Sequence, residues 1–319
     1  MTRFIIRRLL QAIPTIFGIL LLTFLLTRLS PSDPVNLMVA GNFDITPEDR
    51  AALRQELGLN DPMPVQFARY LASVAKLDFG QSFYYHRPAV TLIAERIPNS
   101  LQIAIPAVIL ALLVGVPLGV MQAYHRGRKR DHIIRIFSVV GYSVPTFWFG
   151  LIFITVFGIG LRWFPIGSMN AIGHESEVLD RIWHLAGPVL AASLAGIAIY
   201  PRYLRTEVLE ILSQDYVRTA QAKGLMQSAV TWVHVVRNSL IPIVTLFGGI
   251  LTIVVGGSLV IEQVFSWPGL GRLLFEALTN KDYPVIQADV LATSALLIIS
   301  FVLRDIAYAW VDPRIKVHS

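Results

Sequence analysis

The segment "SLQIAIPAVILALLVGVPLGVMQAY", from Ser100 to Tyr124, contains no Asp, Glu, Lys or Arg. A helix that crosses the hydrocarbon core of a bilayer requires about 20 predominantly apolar residues. The segment meets that requirement and predicts a membrane-spanning helix. The composition agrees, because 54% of the chain is hydrophobic and only 15% is charged, against about 25% charged in an average soluble domain.

Similar apolar stretches recur along the chain. The last one, 285–310, carries Asp289 near one end and the neighbours Arg304 and Asp305 near the other. Charged side chains near a helix end can reach the membrane interface, so this stretch is also predicted to span. The sequence therefore predicts an all-α membrane protein with six transmembrane helices. The other four stretches are Leu9–Thr27, Ile136–Leu161, Ile182–Pro201 and Asn238–Ile261.

The first apolar run follows Arg3, Arg7 and Arg8, as the apolar region of a signal peptide would. It is longer than the usual 7 to 15 or so residues of such a region, and the following "TRLSPSDP" offers no small-residue cleavage site. We expect this helix to be retained.

The charges are unevenly divided between the predicted loops. One set of loops holds 16 Lys/Arg and 6 Asp/Glu, whereas the other holds 10 Lys/Arg and 14 Asp/Glu. Because basic loops stay on the cytoplasmic side, both termini are predicted to be cytoplasmic. The net charge of +6 then reflects topology, and we expect no nucleic-acid partner. The basic set comprises the two termini, 124–135 and 201–237, and the acidic set comprises 30–99, 162–181 and 262–284.

The long loop after the first helix contains two short helical patterns. In "ITPEDRAALRQELG", Thr46 is the predicted N-cap, Pro47 the first helical residue, Asp49 the capping-box partner and Gly58 the stop. The loop could be a small cover for the bundle or a docking surface for an external partner. The predicted domains are 1–30 (first transmembrane helix), 31–99 (extracytoplasmic segment), 100–312 (five-helix core with a cytoplasmic loop at about 201–237) and 313–319 (cytoplasmic tail).

Prolines and glycines recur inside the predicted spans. Proline breaks helical hydrogen bonds, which neighbouring helices or a hydrated cavity must then satisfy. Gly115 and Gly119 predict a close approach between helices. The prolines are Pro106, Pro117, Pro145, Pro188 and Pro242.

Several enzymatic chemistries have no sequence motif here. A nucleotide-binding P-loop requires a lysine directly after its last glycine, and no lysine in the chain follows a glycine. The chain has no H-E-x-x-H motif, no G-x-S-x-G motif, no cysteine, and no zinc-like spacing among its seven histidines. We therefore expect no catalytic residues, no metal site and no cofactor within this chain.

A carrier driven by an ion gradient usually needs ionisable groups at membrane depth. Only Asp289 comes close, and it is predicted in the first turn of its helix, where the helix dipole favours an anion. The sequence therefore favours an external energy source, such as a partner that hydrolyses ATP. An ion-coupled carrier and a membrane enzyme are the two less favoured classes.

The cytoplasmic loop contains the polar segment "QDYVRTAQAKGL", from Gln214 to Leu225. Asp215 is the predicted N-cap of a helix over 216–223, with Gly224 as its left-handed stop and Ser228 as the cap of the next helix. Small residues would leave one helix face able to enter a groove of another protein. An ordinary connector between two spans is the alternative. The residues of that face are Thr219, Ala220 and Ala222, while Arg218 and Lys223 keep the helix soluble.

The segment "DYVRTAQAKGL", followed by "RNSLIP", resembles the conserved cytoplasmic loop of ABC-importer permeases. In that family the short helix inserts into the ATPase subunit. The family loop usually begins with Glu-Ala-Ala, whereas this chain has Arg218, Thr219 and Ala220 at those positions. This difference resembles the loop of the peptide-permease branch. The resemblance implies an ATPase-coupling loop formed by Asp215, Tyr216, Arg218, Thr219, Ala220, Ala222, Lys223, Gly224 and Leu225.

Further segments resemble the first membrane subunit of the dipeptide, oligopeptide and nickel permease group. They include "GYSVPTFWFGLIF", "EQVFSWPGLGRLLFEAL" and the terminal "DPRIK", and together they cover nearly the whole chain. The resemblance implies a type I ABC-importer permease in a bacterial or archaeal plasma membrane. Its implied partners are membrane lipid, a second permease subunit, two ATPase subunits that bind ATP and Mg, and an extracytoplasmic binding protein.

Peptides are the leading substrate that the resemblance implies, while nickel, glutathione and oligosaccharides remain alternatives. Polar or amphipathic residues near helix breaks could line the path of the substrate, or they could satisfy structural hydrogen bonds instead. These residues are Gln102, Tyr142, Ser143, Glu262 and Trp267.

Overall fold

The structure is a computed structural model that describes residues 2–30, 34–39, 46–239 and 259–311, with side chains described for 10–30, 34–39, 46–239 and 259–306. All regular secondary structure in these ranges is helical. The helices are α1 (Thr2–Leu29), α2 (Pro34–Met38), α3 (Pro47–Glu56), α4 (Met63–Ala75), α5 (Ala89–Tyr124), α6 (Lys129–Ser143), α7 (Thr146–Phe153), α8 (Val178–Leu212), α9 (Asp215–Ala222), α10 (Gln227–Ala229), α11 (Leu270–Thr279) and α12 (Tyr283–Val311).

Two helices continue into a wider, π-helical turn. The segment Ile154–Gly160 extends α7, and Val230–Val236 extends α10. The chain forms two compact units, of which the first comprises Met1–Asn99 with Pro268–Ile298 and the second comprises Ser100–Trp267 with Ile299–Ser319.

Four of the described helices are long and apolar enough to cross a membrane, namely α1 from Leu10 onward, α5, α8 and α12 up to Ile306. They coincide with four of the six predicted spans. The predicted span 136–161 is broken in the structure, where α6 and α7 meet at an angle of 99°. Pro145 lies at this break and disfavours helical backbone in the residue before it. Counting the bent pair as one span gives five, and the predicted span 238–261 lies mostly outside the described residues.

The capping signals around α3 are confirmed. The Thr46 side chain accepts a hydrogen bond from the backbone N–H of Asp49 at 3.2 Å, and the Thr46 backbone N–H donates to the Asp49 carboxylate at 3.0 Å. The Thr46 hydroxyl also donates to the Asp49 carboxylate, at 2.8 Å. The hydrogen bonds from the Thr46 backbone N–H and from its hydroxyl hold the pKa of Asp49 below its usual range. Pro47 is the first helical residue, and Gly58 has a φ of +62°, which glycine adopts without steric cost.

The first unit has its own hydrophobic core, in which Ala89 and Leu92 of α5 pack with Leu273 of α11 and Val285 of α12. A buried carboxylate, Asp282, fastens the loop that precedes α5. It accepts hydrogen bonds from the Ser82 hydroxyl and from the backbone N–H groups of Phe83 and Tyr84, the latter two at 3.2 and 3.3 Å.

Asp289 lies in the second turn of α12 rather than in the first, because the helix begins at Tyr283. The side chain is 1% exposed and accepts a hydrogen bond from the Thr293 hydroxyl at 3.3 Å. The predicted placement at the helix end is therefore wrong, and the carboxylate is held inside the first unit by its own helix.

The second unit contains the close helix approach that the glycines predict. A Cβ atom added to Gly115 would lie 2.8 Å from the Tyr200 Cβ, and one added to Gly119 would lie 2.8 Å from the Leu204 Cβ. Glycine at these positions lets α5 and α8 pack backbone to side chain. Tyr200 and Leu204 belong to a buried cluster that also holds Val208 of α8 and Val217 of α9. This cluster positions α9 and the segment around it.

Candidate functional site

Helix α9 is the described counterpart of the predicted coupling helix. Its N-cap is Gln214, not Asp215 as predicted. Gln214 has extended backbone angles, and its carbonyl accepts hydrogen bonds from the N–H groups of Val217 at 3.1 Å and Arg218 at 3.3 Å. Asp215 is thus the first helical residue. Its exposed carboxylate lies 3.7 Å from the Arg218 guanidinium, and an acidic group suits this end of a helix.

One face of α9 is buried against the rest of the second unit. Val217 is 0% and Ala220 is 6% exposed, and both join the buried cluster with Leu204, Val208 and Val230. The prediction that Ala220 contributes to an outward face is therefore wrong. The spacing of three residues between Val217 and Ala220 places both on the same side of the helix. This spacing was the sequence signal that Ala220 shares the buried side of Val217.

The opposite face of α9 is exposed. It presents Thr219, Ala222 and Lys223, and the Thr219 hydroxyl donates back to the carbonyl of Asp215 at 2.9 Å. Tyr216 is also largely exposed, and partial burial raises the pKa of its phenol while a hydrogen bond to Asn238 acts in the opposite direction.

The predicted stop after α9 is confirmed. Lys223 is the C-cap, and Gly224 has a φ of +74° with no atom within 4 Å of a Cβ built on it. Leu225 and Met226, which follow, are 45% and 75% exposed. The turn thus presents two apolar side chains beside the exposed face of α9.

The return of the loop to the membrane begins earlier than predicted. Met226 occupies the N-cap position of α10 and Ser228 lies inside the helix, so the prediction of Ser228 as the cap is wrong. The Tyr124 hydroxyl at the end of α5 lies 2.8 Å from the Thr231 hydroxyl. This contact ties the end of the segment 201–237 to α5.

A cavity of about 690 Å³ lies between α6 and α8, close to the predicted cytoplasmic loops. Two of the residues predicted to line the substrate path, Tyr142 and Ser143, line this cavity. The others are not among the described residues that line it. Glu262 is buried and accepts a hydrogen bond from the Ser100 hydroxyl at 2.6 Å, and the backbone N–H of buried Trp267 donates to the Glu262 carbonyl at 2.7 Å.

The side chain of Gln102, another predicted path residue, is half-buried on α5. Its Oε1 atom is buried and accepts no hydrogen bond from the described residues. The role of the five residues as a substrate path stays a prediction.

Sequence reasoning missed the ion pair beside this cavity. Asp131 of α6 is 3% exposed and accepts two hydrogen bonds from Arg205 of α8, at 3.1 Å from Nε and 3.0 Å from the terminal nitrogen. The Gly127 backbone N–H donates to the same carboxylate at 2.8 Å. The available signal was that Asp131 is the single acid in the strongly basic segment 124–135.

Comparison with known proteins gives consistent matches along the chain. Residues 115–317 match the family described as "Binding-protein-dependent transport system inner membrane component", and residues 1–104 match the family described as the N-terminal part of such a membrane component. The chain is 40% identical over 317 residues to the oligopeptide transport system permease protein AppB of Bacillus subtilis (strain 168), with 99% of this chain and 100% of the relative covered.

A second relative is the di/tripeptide transport system permease protein DppB of Pseudomonas aeruginosa (strain UCBPP-PA14). It is 36% identical over 334 residues, with 99% of each chain covered. Both relatives therefore match this chain from end to end.

Proposed function

The chain belongs to the binding-protein-dependent transport system inner membrane component family, and we propose that it is the permease subunit through which an ATP-driven importer moves di- and oligopeptides into the cytoplasm. It is a multi-pass protein of the plasma membrane and a transport subunit without an ATPase site of its own. Relatives whose names specify oligopeptide and di/tripeptide transport support peptides over nickel, glutathione or oligosaccharides.

The coupling role is supported by the observation that one face of α9 is buried and the other is exposed. Its inner face, Val217 and Ala220, is packed into the cluster that joins α5 and α8. Its outer face and the following turn expose Thr219, Ala222 and Leu225. A force applied to the outer face is thereby transmitted to two spanning helices, because packed interiors transmit displacement rather than absorb it.

The proposed assembly contains this chain, a second homologous permease, two ATPase subunits and an extracytoplasmic binding protein. ATP and Mg bind to the ATPase subunits, which close on ATP and pull on α9. The permease then changes between inward-open and outward-open states, and the nucleotide shifts the populations of these two states. Peptide delivered by the binding protein enters the outward-open state.

The proposed topology has six spanning helices with both termini in the cytoplasm. The basic segment 124–135 joins the end of α5 to the first turns of α6, and the basic segment 201–237 comprises the end of α8, then α9, the turn after it and α10 with its extension. The positive-inside rule assigns both segments to the cytoplasm. The predicted span 238–261 supplies the sixth crossing in this scheme. Accessibility labelling of single cysteines is well suited to test it, because the natural chain has no cysteine.

Uptake by the reconstituted complex tests the function. Proteoliposomes that contain this chain with its co-purified partners receive a mixed peptide pool, while ATP and the binding protein are supplied separately and together. We expect peptide accumulation in the lumen only when both are present. Accumulation without ATP would establish an ion-coupled or passive carrier, and ATP hydrolysis without peptide accumulation would overturn the peptide assignment.

A further inference from the structure

The cavity between α6 and α8 is built like a ligand site. Its volume of about 690 Å³ lies within the range of roughly 300–1,000 Å³ that is usual for small-molecule pockets. The Asp131–Arg205 pair joins the two helices beside the cavity. Further along, a Cβ atom on Gly141 would lie 3.2 Å from the Ala198 Cβ, so the helices also meet closely there. Contacts on both sides therefore hold the cavity open between them.

The cavity has an excess of positive charge. Three guanidinium groups line it, those of Arg135, Arg202 and Arg205. Asp131 neutralises Arg205. Arg135 lies 2.5 Å from the His132 ring nitrogen. Within the described ranges no acidic side chain forms an ion pair with Arg135 or with Arg202. Two guanidinium groups are therefore available to an anionic ligand.

Two buried polar atoms in the cavity wall lack partners among the described residues. Gln122 is 3% exposed, and its Oε1 atom accepts no hydrogen bond from them. Ser138 is 6% exposed, and its hydroxyl is likewise unpaired there. Buried polar atoms of this kind are normally satisfied by protein, water or ligand. Gln122 Oε1 can only accept, so the group that satisfies it must carry a donor.

These features together define the chemistry of the ligand. Guanidinium groups pair with carboxylates through two parallel hydrogen bonds. An acceptor such as Gln122 Oε1 pairs with an N–H or O–H donor, which the same ligand can supply. The C-terminal residue of a peptide offers a carboxylate and an amide N–H side by side. The phosphodiester of a lipid headgroup would engage the arginines, but it carries no hydrogen to donate to Gln122 Oε1.

We propose that this cavity is a substrate-binding station that holds the carboxyl-terminal residue of a peptide on its way through the permease. Arg135 and Arg202 bind the carboxylate, and rotation of the buried Gln122 and Ser138 side chains toward the cavity lets their unpaired oxygens bind the adjacent amide groups. Tyr142 and Tyr203, which also line the cavity, pack against the peptide side chain. The station rests on the proposed peptide-import function and adds a preference for a free C-terminus within the permease itself.

Photo-crosslinking in the absence of the binding protein tests whether the permease itself binds the peptide in this cavity. The complex in phosphatidylcholine nanodiscs is incubated with a tripeptide that carries benzoylphenylalanine at its centre, either as the free acid or as the C-terminal amide. Mass spectrometry then locates the labelled residues. We expect the free acid to label α6 and α8 near the cavity, and the amide to label them about tenfold less, as for the loss of a charged hydrogen bond.

The double variant Arg135→Gln/Arg202→Gln should reduce labelling by the free acid to the level seen with the amide. Arg128→Gln/Arg130→Gln makes the same change of charge next to or on α6 at exposed residues that do not line the cavity, and it should label like the unaltered protein. ATP hydrolysis and the size-exclusion profile of each variant report whether its complex is assembled. If the first variant fails to assemble, the comparison of acid with amide on the unaltered protein decides the question.

Equal labelling by acid and amide, or labelling elsewhere than α6 and α8, would overturn the station. Loss of labelling on addition of phosphatidylglycerol, without competition by unlabelled peptide, would show an anionic-lipid site and also overturn it. ATP- and binding-protein-dependent uptake by the same preparation distinguishes failure of the station from failure of the proposed peptide import. Uptake with no cavity labelling rejects the station alone, whereas no peptide uptake rejects the proposed function.

Discussion

Arg205 on α8 donates two hydrogen bonds, of 3.1 and 3.0 Å, to the carboxylate of Asp131 on α6, which lies 74 residues earlier in the sequence. The carboxylate is almost completely buried, and the Gly127 N–H satisfies it further. The arginine side chain keeps 28% of its surface exposed. The pair thus fixes the separation of two helices whose intervening cavity is the proposed peptide station.

Removing one partner of this pair should destabilise the second unit. In Asp131→Leu the partly buried guanidinium loses its counter-charge, and we expect a loss of about 3 kcal/mol, at the low end for buried pairs because Arg205 is partly exposed. Thermal unfolding in detergent, followed by tryptophan fluorescence, measures the change. The exposed Arg130→Leu should shift the free energy of unfolding by less than about 0.5 kcal/mol.

The double variant Asp131→Leu/Arg205→Leu closes the thermodynamic cycle. Because it leaves no unpaired charge, it should be less destabilised than the sum of the two single variants. Strict additivity would show that the two side chains do not interact energetically.

Gly119→Ala should destabilise the contact between α5 and α8. The new methyl group would meet the Leu204 Cβ at 2.8 Å and the Pro201 backbone at 3.1 Å, and the backbone cannot move aside easily. Overpacking of this kind costs about 1–3 kcal/mol. Gly18→Ala in α1 is the matched control, because a Cβ there has nothing within 4 Å. A lower melting temperature for Gly119→Ala and an unchanged or higher one for Gly18→Ala is the expected result.

Gly224→Val should insert and fold but impair coupling. A β-branched residue disfavours a φ of +74°, at a cost of about 1–2 kcal/mol. The backbone would relieve this strain by changing conformation, which displaces the exposed Leu225. We expect ATP-driven peptide uptake to fall about tenfold. Gly224→Asn serves as the control, since asparagine tolerates the left-handed region, and should retain most uptake. Unaltered uptake by the valine variant would contradict the coupling role of this turn.

Tyr85 should ionise only in strong alkali. Burial, together with donation of its hydroxyl to Glu276, raises the pKa of Tyr85 to about 12. Because the folded pKa is above the unfolded value of about 10, the stabilisation is complete below pH 10 or so and is lost as the pH rises toward 12. The difference in ultraviolet absorbance between the unaltered protein and Tyr85→Phe reports this ionisation. A difference that develops near pH 10 would contradict a partly buried phenol that is hydrogen-bonded to Glu276.

The sequence by itself determined the features that depend on near neighbours along the chain. Charge-free stretches marked α5, α8 and the other long helices, because a backbone in lipid must satisfy its hydrogen bonds internally. Thr46 and Gly224 marked helix ends because capping and a positive φ are local properties of one or two residues. Family membership was likewise carried by motifs along the chain.

Tertiary structure alone decided which groups face one another. Ala220 was predicted outside and lies inside, because the packing of α9 against α5 and α8 sets its rotation. Pro145 marked a break in the predicted span 136–161, but only the structure gave the angle of 99° between the two helices. The bond between Asp131 and Arg205, and the cavity beside it, join residues from separate helices. Their positions depend on how side chains distant in sequence fill common space, and no local pattern of residues encodes that.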